Sequence, residues 1–251
     1  MESAATHSGR AHAPMLGGDG REHWIVTGAG SGIGHGLAMR LVGEGVRVTA
    51  CVRSEEELVS LRSTQTTRSE EFSTVVFDVR DDQRGRAVAA ASSDPVDVLV
   101  ACAGVFGRRH SARDLDFDEA LDVFSVNALG PLRTVQAFLP RLVRGNNPRV
   151  ALVSSVLGSM SMEGASNPSN LAYRASKAAL NKIVQGLATD LKSDGIIVIA
   201  LEPGWVRTPM GGPDAPLSVD ESVSGIIATV RTLTIGESGH FLDYQHQDVP
   251  W

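Results

Sequence analysis

Short, almost continuous apolar runs alternate along the chain with longer stretches whose apolar residues recur every three or four positions. The runs "HWIVTG" (23–28), "VRVTACV" (46–52), "STVVFDV" (73–79), "DVLVACAG" (97–104), "RVALVSS" (149–155) and "IIVIALEPG" (196–204) predict strands. Their Val, Ile and Leu content, with little polar alternation, suits parallel strands covered on both faces. Helical spacing runs through 33–44, 54–62, 81–91, 118–143 and 171–192; a further helix is expected over 218–233, and "GHFLDY" (239–244) is a candidate last strand. Such alternation predicts βαβ units, hence an α/β fold with a doubly wound parallel sheet and helices on both faces. There is no internal repeat and no long linker. One domain over 23–251 is therefore expected, after a leader at 1–22 rich in Gly, Ala, His and Ser.

Composition narrows the partners. A chain of 251 residues that is 42% hydrophobic and 21% charged can bury a large core and reads as a soluble globular protein. The net charge of −6 argues against nucleic acid or an anionic membrane as the main partner, since both need a basic face. No apolar run approaches the roughly 20 residues that span a bilayer, and residues 1–20 hold no apolar core of a secretory signal. Cys51 and Cys102 each end a predicted strand, and those two strands would flank the first. Two strand spacings is about 10 Å, beyond the ~7 Å Cα limit of a disulfide. Both read as buried thiols of a reducing compartment, and a cytoplasmic location is expected. Neither these nor the seven histidines show metal-ligand spacing, so no metal is expected.

Candidate chemistry sits where predicted strands end. "TGAGSGIG" (27–34) joins the first strand to the first helix and spaces Gly28, Gly32 and Gly34 as Gly-xxx-Gly-x-Gly. A tight turn, close backbone approach and a helix N-terminus are what a dinucleotide pyrophosphate requires. An acid at the end of the second strand would favour NAD(H), by accepting from the ribose hydroxyls. The run there is Cys51-Val52-Arg53. Arg53 can instead pair with a 2′-phosphate, which favours NADP(H) and leaves NAD(H) the alternative; the competing account is a solvated arginine opening a helix.

Only Lys177, Lys182 and Lys192 are lysines, and Lys177 stands four residues after Tyr173. That spacing puts both side chains on one helix face. A tyrosine of pKa near 10 is a poor base at neutrality; an adjacent ammonium is expected to lower that value and to bind ribose hydroxyls as well. At the end of the fifth strand, Ser155 can hold a substrate oxygen, with its neighbour Ser154 as competitor because adjacent strand residues face opposite ways. Arg108, Arg109 and His110 either border the pocket or form a solvated loop; Trp205 and Arg207 either meet substrate or pack a turn.

Taken together, "TGAGSGIG", Asp78, "CAG" (102–104), "VNALG" (126–130), "SSVLG" (154–158), "YRASK" (173–177) and "EPGWVRT" (202–208) resemble the short-chain dehydrogenase/reductase family over roughly 23–251. The tail looks like the branch that includes the Sniffer carbonyl reductase and the bacterial C-factor. The resemblance implies a Rossmann-type domain. It implies Tyr173 as acid/base, Lys177 on the nicotinamide ribose, Ser155 on the substrate oxygen, and Asn127 behind the lysine in a proton relay. It further implies cofactor contacts at Gly28, Ser31, Gly32, Ile33, Gly34, Asp78, Val79, Ala103, Gly104, Pro203, Gly204, Val206 and Thr208. One departure stands out: the family's Asn-Asn-Ala-Gly is here Ala101-Cys102-Ala103-Gly104, without the amide that braces the central strands.

The expected function is NADPH-dependent reduction of a ketone or aldehyde to an alcohol. An apolar or aromatic substrate is expected, from Met160, Met162 and Met210 in the pocket loops. Helices 118–143 and 171–192 resemble the family's pairing surfaces, which leaves a homodimer, a homotetramer and a monomer all open. Two rivals stand beside it: a nucleotide-binding regulatory protein with little turnover, and an epimerase or dehydratase of nucleotide sugars. The second lacks chain for the substrate domain such enzymes carry.

Overall fold

The computed structural model describes residues 21–64, 71–109, 111–162 and 170–251. The expected leader lies outside the described residues up to position 20, as does His110. Along the described chain the strands are β1 (His23–Thr27), β2 (Arg47–Val52), β3 (Phe72–Val76), β4 (Val98–Ala101), β5 (Arg149–Val153), β6 (Ile197–Glu202) and β7 (Phe241–Asp243). The helices are α1 (Gly32–Gly43), α2 (Glu55–Thr64), α3 (Asp82–Ala90), α4 (Phe117–Phe124), α5 (Gly130–Leu142), α6 (Leu171–Asp190) and α7 (Val219–Thr232). All strands pair in parallel, in the order β3-β2-β1-β4-β5-β6-β7. The order reverses between β1 and β4, the switch point at which a doubly wound sheet opens its ligand crevice.

Apolar strands with no polar face make sense because each residue has a core to enter. Trp24 and Val26 of β1 join Leu37 and Leu41 of α1 and Ile226 and Val230 of α7 on one side of the sheet. Ile25, between them, joins Phe138 of α5 and Leu180 of α6 on the other. β4 and β6 split likewise: Val98, Val100 and Ile199 lie with the first cluster, Leu99 and Val198 with the second. Helix starts follow local chemistry. Asp81 caps α3 by accepting from the Arg84 amide, and Ser218 with Glu221 forms a capping box on α7.

The single helix expected over 118–143 is three pieces: α4, a π-helical turn at Ser125–Leu129, and α5. Pro131 explains the opening, since it has no N–H to give the Asn127 carbonyl four residues back. The strands also end earlier than expected, because the chain leaves the sheet at 77–79, 102–104, 154–155 and 203–204. Those are the positions that carry the candidate chemistry. Cys51 and Cys102 are both free, on strand ends either side of β1; Cys51 is buried, but Cys102 is only half-buried and borders the crevice. No helix among the described residues is long and apolar enough to cross a membrane.

Candidate active site

A cleft of about 510 Å³ opens over the carboxyl ends of β1, β2, β3, β4, β5 and β6. It is lined by Gly28, Ser31, Gly32, Ile33 and Gly34 of the first turn, and by Arg53, Asp78, Val79, Ala103 and Gly104 after β2, β3 and β4. Tyr173, Lys177, Pro203 and Thr208 complete the expected set on the far side. Gly204 and Val206 do not line it. Gly204 (φ +81°) turns towards Leu217 and Tyr244, and Val206 is buried in a bridge with Leu217.

The glycine turn is shaped for a phosphate. Gly28 has φ +67°, and a Cβ there would lie 2.8 Å from the Ala103 Cα. A Cβ on Gly34 would lie 2.4 Å from the Gly28 carbonyl oxygen. Side chains are thus excluded where α1 begins, and the helix N-terminus faces the cleft. The missing family amide has replacements: the Ala103 amide donates to Thr27 Oγ1 at 3.2 Å, and the Gly34 amide donates to the Cys102 sulfur. Burial pushes the Cys102 thiol up to about 11, so it stays neutral.

At the adenosine end the ion pairing differs from expectation. Arg53 is not a free guanidinium: Nη2 pairs with Glu57 Oε1 at 2.8 Å, and its amide donates to Glu57 Oε2 at 2.9 Å. Glu57 itself borders the cleft. It was legible as an acid one helical turn after Arg53. Asp78 is held by Arg80, which donates from its backbone at 2.9 Å and from Nη2 at 2.7 Å and also reaches Asp122. Bonds from Arg80 hold the Asp78 carboxyl below its usual range.

At the other end, α6 brings Tyr173 and Lys177 onto one face, both buried. The Ser155 hydroxyl is hydrogen-bonded to the Tyr173 phenol. Ser154 instead donates to Asn181 Oδ1 at 2.5 Å, so the two serines divide as strand alternation requires. Ser154 lines the cleft; Ser155 does not. Asn127 is wholly buried: Nδ2 donates to the Val105 carbonyl at 2.8 Å and to Ser176 Oγ at 3.0 Å, and Oδ1 accepts from the Val105 amide at 2.8 Å. It therefore braces the β4 exit against α6, reaching the residue beside Lys177. Asn127 Oδ1 and Lys177 Nζ come within 3.4 and 3.8 Å of where a Cβ on Gly104 would stand.

Electrostatics correct one expectation. Lys177 Nζ donates to the Val153 carbonyl at 2.8 Å and lies 5.7 Å from the centre of the Tyr173 ring. Tyr173 is not made acidic: burial pushes the phenol up to about 12, against the opposing Ser155 bond and with the Glu202 charge adding to the rise. Burial also pulls Lys177 down to about 8. Desolvation outweighs the mutual help that spacing alone predicts. At neutral pH the pair is a neutral phenol beside an ammonium.

Two neighbours were missed by sequence. Phe106 stacks on Tyr173 with ring centres 4.7 Å apart. Glu202, the last residue of β6, is buried beneath the site; a lone acid in an apolar run was the available signal. Met210 lines the cleft, but Met160 and Met162 do not. The loop before them is tied elsewhere, with the Met160 and Ser161 amides donating to the Trp251 carbonyl at 3.0 Å each. Arg207 donates to the Ala215 and Pro216 carbonyls and Trp205 Nε1 to the Gly211 carbonyl, so both brace the loop after β6.

Comparison with known proteins agrees with this geometry. A family model described as short chain dehydrogenase matches residues 22–216. C-signal of Myxococcus xanthus is 45% identical over 157 residues, which cover 62% of this chain and 93% of that protein. Carbonyl reductase Sniffer of D. melanogaster has a TM-score of 0.83 at 26% identity, covering 92% of this chain and 100% of its own. An NADPH-bound carbonyl reductase from chicken fatty liver also scores 0.83, at 29% identity, covering 92% and 99%. The chain belongs to the short-chain dehydrogenase/reductase family of oxidoreductases.

Proposed function

We propose that the protein is an NADPH-dependent carbonyl reductase that converts apolar or aromatic ketones or aldehydes to alcohols. What carries this is the convergence of Tyr173 and Lys177 at one end of a cleft whose other end is the glycine turn, with Ser155 hydrogen-bonded to the phenol. The glycine turn, Asp78, Val79 and Lys177 would hold NADPH, which when bound would supply a hydride to the carbonyl carbon. The Tyr173 phenol, neutral at physiological pH, gives its proton to the carbonyl oxygen as negative charge develops there. An alkoxide is a stronger base than a phenolate, so that transfer runs downhill even from a phenol raised to about 12. Ser155, bonded to the same phenol, orients the oxygen. Lys177 holds a positive charge beside the proton donor and can reach ribose hydroxyls with its remaining hydrogens. Phe106 and Met210 offer an apolar wall to the substrate, and the NADPH-bound relative supports the choice of dinucleotide.

Loss of nicotinamide absorbance with a panel of aryl and alkyl ketones tests the proposal. Tyr173→Phe, which removes only the proton donor, should lower kcat/KM by about 10²- to 10⁴-fold. If both proteins bind NADPH and are equally inert, the enzyme assignment fails and a nucleotide-binding regulatory role takes its place.

A further inference from the structure

The proposed reaction leaves one buried acid without a task. Glu202 ends β6, and both of its oxygens are committed: Oε2 accepts from the Val156 amide at 2.5 Å and Oε1 from the Gly204 amide at 3.0 Å. Val156 directly follows Ser155. Gly204 begins the loop that carries Thr208, Pro209 and Met210 to the cleft. β5 and β6 are adjacent, with Val153 opposite Leu201, so this carboxylate clamps together two strand exits that the sheet has just released.

Several charges face it. Lys177 on α6 attracts the carboxylate, Asp243 at the end of β7 repels it, and the Tyr173 phenol lies within its field. Cys102 after β4 and Glu202 both act on Lys177. Burial is the largest influence and pushes the Glu202 carboxyl up to about 7; the two amide bonds and Lys177 oppose the rise.

We propose that Glu202 is a positioning residue: its carboxylate holds Ser155 against Tyr173 by clamping the Val156 and Gly204 amides, and its charge keeps Lys177 an ammonium. The kinetic consequences rest on the carbonyl-reductase assignment; the ionisation of Glu202 does not. A proton on either oxygen weakens a bond to one of the two amides, while Lys177, at about 8, stays an ammonium as the pH falls. That loosening disorders the proton-donating end and leaves the glycine turn untouched. Acidification through neutrality should therefore lower kcat by a larger factor than it weakens NADPH binding, which the glycine turn still supports while the loop from Gly204 loosens.

The test compares wild type, Glu202→Gln and Glu202→Asp between pH 5.5 and 8.5. Wild type should lose kcat below an apparent pKa near 7. Glu202→Gln keeps one acceptor but turns an NH2 towards the other amide. It should show a kcat lowered about tenfold, the kinetic equivalent of one hydrogen bond, with no acid limb. Glu202→Asp, which keeps the charge, should recover part of the rate and the limb, and in Glu202→Gln kcat should fall by a larger factor than NADPH affinity. An unchanged limb in Glu202→Gln overturns the proposal. So that a poorly folded variant cannot hide the answer, infrared difference spectra of the cofactor-free proteins follow the carboxylic C=O stretch. A band growing in through neutral pH in wild type and missing from Glu202→Gln supports the assignment; one that appears only below about pH 5, the ordinary range, overturns it. Wild type that turns over no carbonyl compound sinks the reductase assignment alone, and the infrared titration still decides the ionisation of Glu202.

Discussion

Under the proposed function, dinucleotide choice turns on a contest for Arg53 between Glu57 and a 2′-phosphate. Arg53 is well exposed and already paired with an acid four residues on. A 2′-phosphate would have to draw the guanidinium from that carboxylate, and its extra charge makes it the stronger partner. Exposed pairs of this kind are worth only about 0.2–1 kcal/mol, so the contest is easily won. Arg53→Ala should therefore weaken NADPH binding at least tenfold with little effect on NADH. Glu57→Gln, which frees the guanidinium, should tighten NADPH by about two- to fivefold. Fluorescence titration with both dinucleotides measures each, and equal losses for the two in Arg53→Ala would refute the assignment. The same scale shows what residue spacing can and cannot reveal. That Tyr173 and Lys177 share a helix face follows from their separation of four. That burial drives their proton affinities apart, up for the phenol and down for the ammonium, depends on the closed surroundings.

At the scale of elements, the strands were legible because the two-sided core leaves them unbroken apolar runs, and α1, α3, α6 and α7 because each covers one face. Strand ends were overrun by two or three residues, since "FDV" after β3 and "SS" after β5 keep an apolar or β-compatible composition while serving the cleft. The π turn was not legible: its apolar residues keep a helical rhythm, and only Pro131 betrays that a hydrogen bond is missing. That turn carries Asn127, whose side chain locks the Val105 backbone to Ser176. Pro131→Ala would return an N–H to the Asn127 carbonyl and draw the turn towards α-helix, rotating Asn127 away from Val105. The restored bond, about 1 kcal/mol, roughly offsets the added freedom of the unfolded chain, about 0.4–1 kcal/mol. The expected result is an unfolding midpoint within about 3 °C of wild type and a kcat lowered about tenfold. A variant that loses stability but not rate would show that the turn serves packing instead.

Across the whole molecule, an all-parallel sheet separates two kinds of polar chemistry. The carboxyl ends of the strands carry the cleft; the amino ends carry a buried polar network that touches no part of it. His23, the first residue of β1, bonds the Pro95 carbonyl through Nδ1 at 2.9 Å and Thr49 Oγ1 of β2 through Nε2 at 2.9 Å, while Thr49 continues to Ser73 of β3 at 3.0 Å. A carbonyl can only accept, so Nδ1 carries a proton; with the ring held neutral by its lowered pKa, Nε2 accepts from the threonine. Burial is the main reason its pKa falls to about 4; the Pro95 bond and Asp94 oppose the fall, and Arg141 and Arg47 add to it. An unfolded histidine titrates near 6.5. Between these values the unfolded chain binds more protons than the folded one, so stability is fully present above about pH 6.5 and drains away as the pH falls towards 4. The loss amounts to about 3 kcal/mol. His23→Gln keeps one donor and one acceptor but cannot titrate. Urea unfolding at pH 7.5 and pH 4.5 should show wild type losing more stability than His23→Gln by about 2–3 kcal/mol. At pH 7.5 the kcat of the two proteins should agree within about twofold, because the network lies at the opposite end of the strands from the cleft. Equal acid losses would mean that carboxylates dominate the acid response. An altered kcat would mean that the two ends of the sheet communicate, which the separate bonding of His23 and Tyr173 argues against.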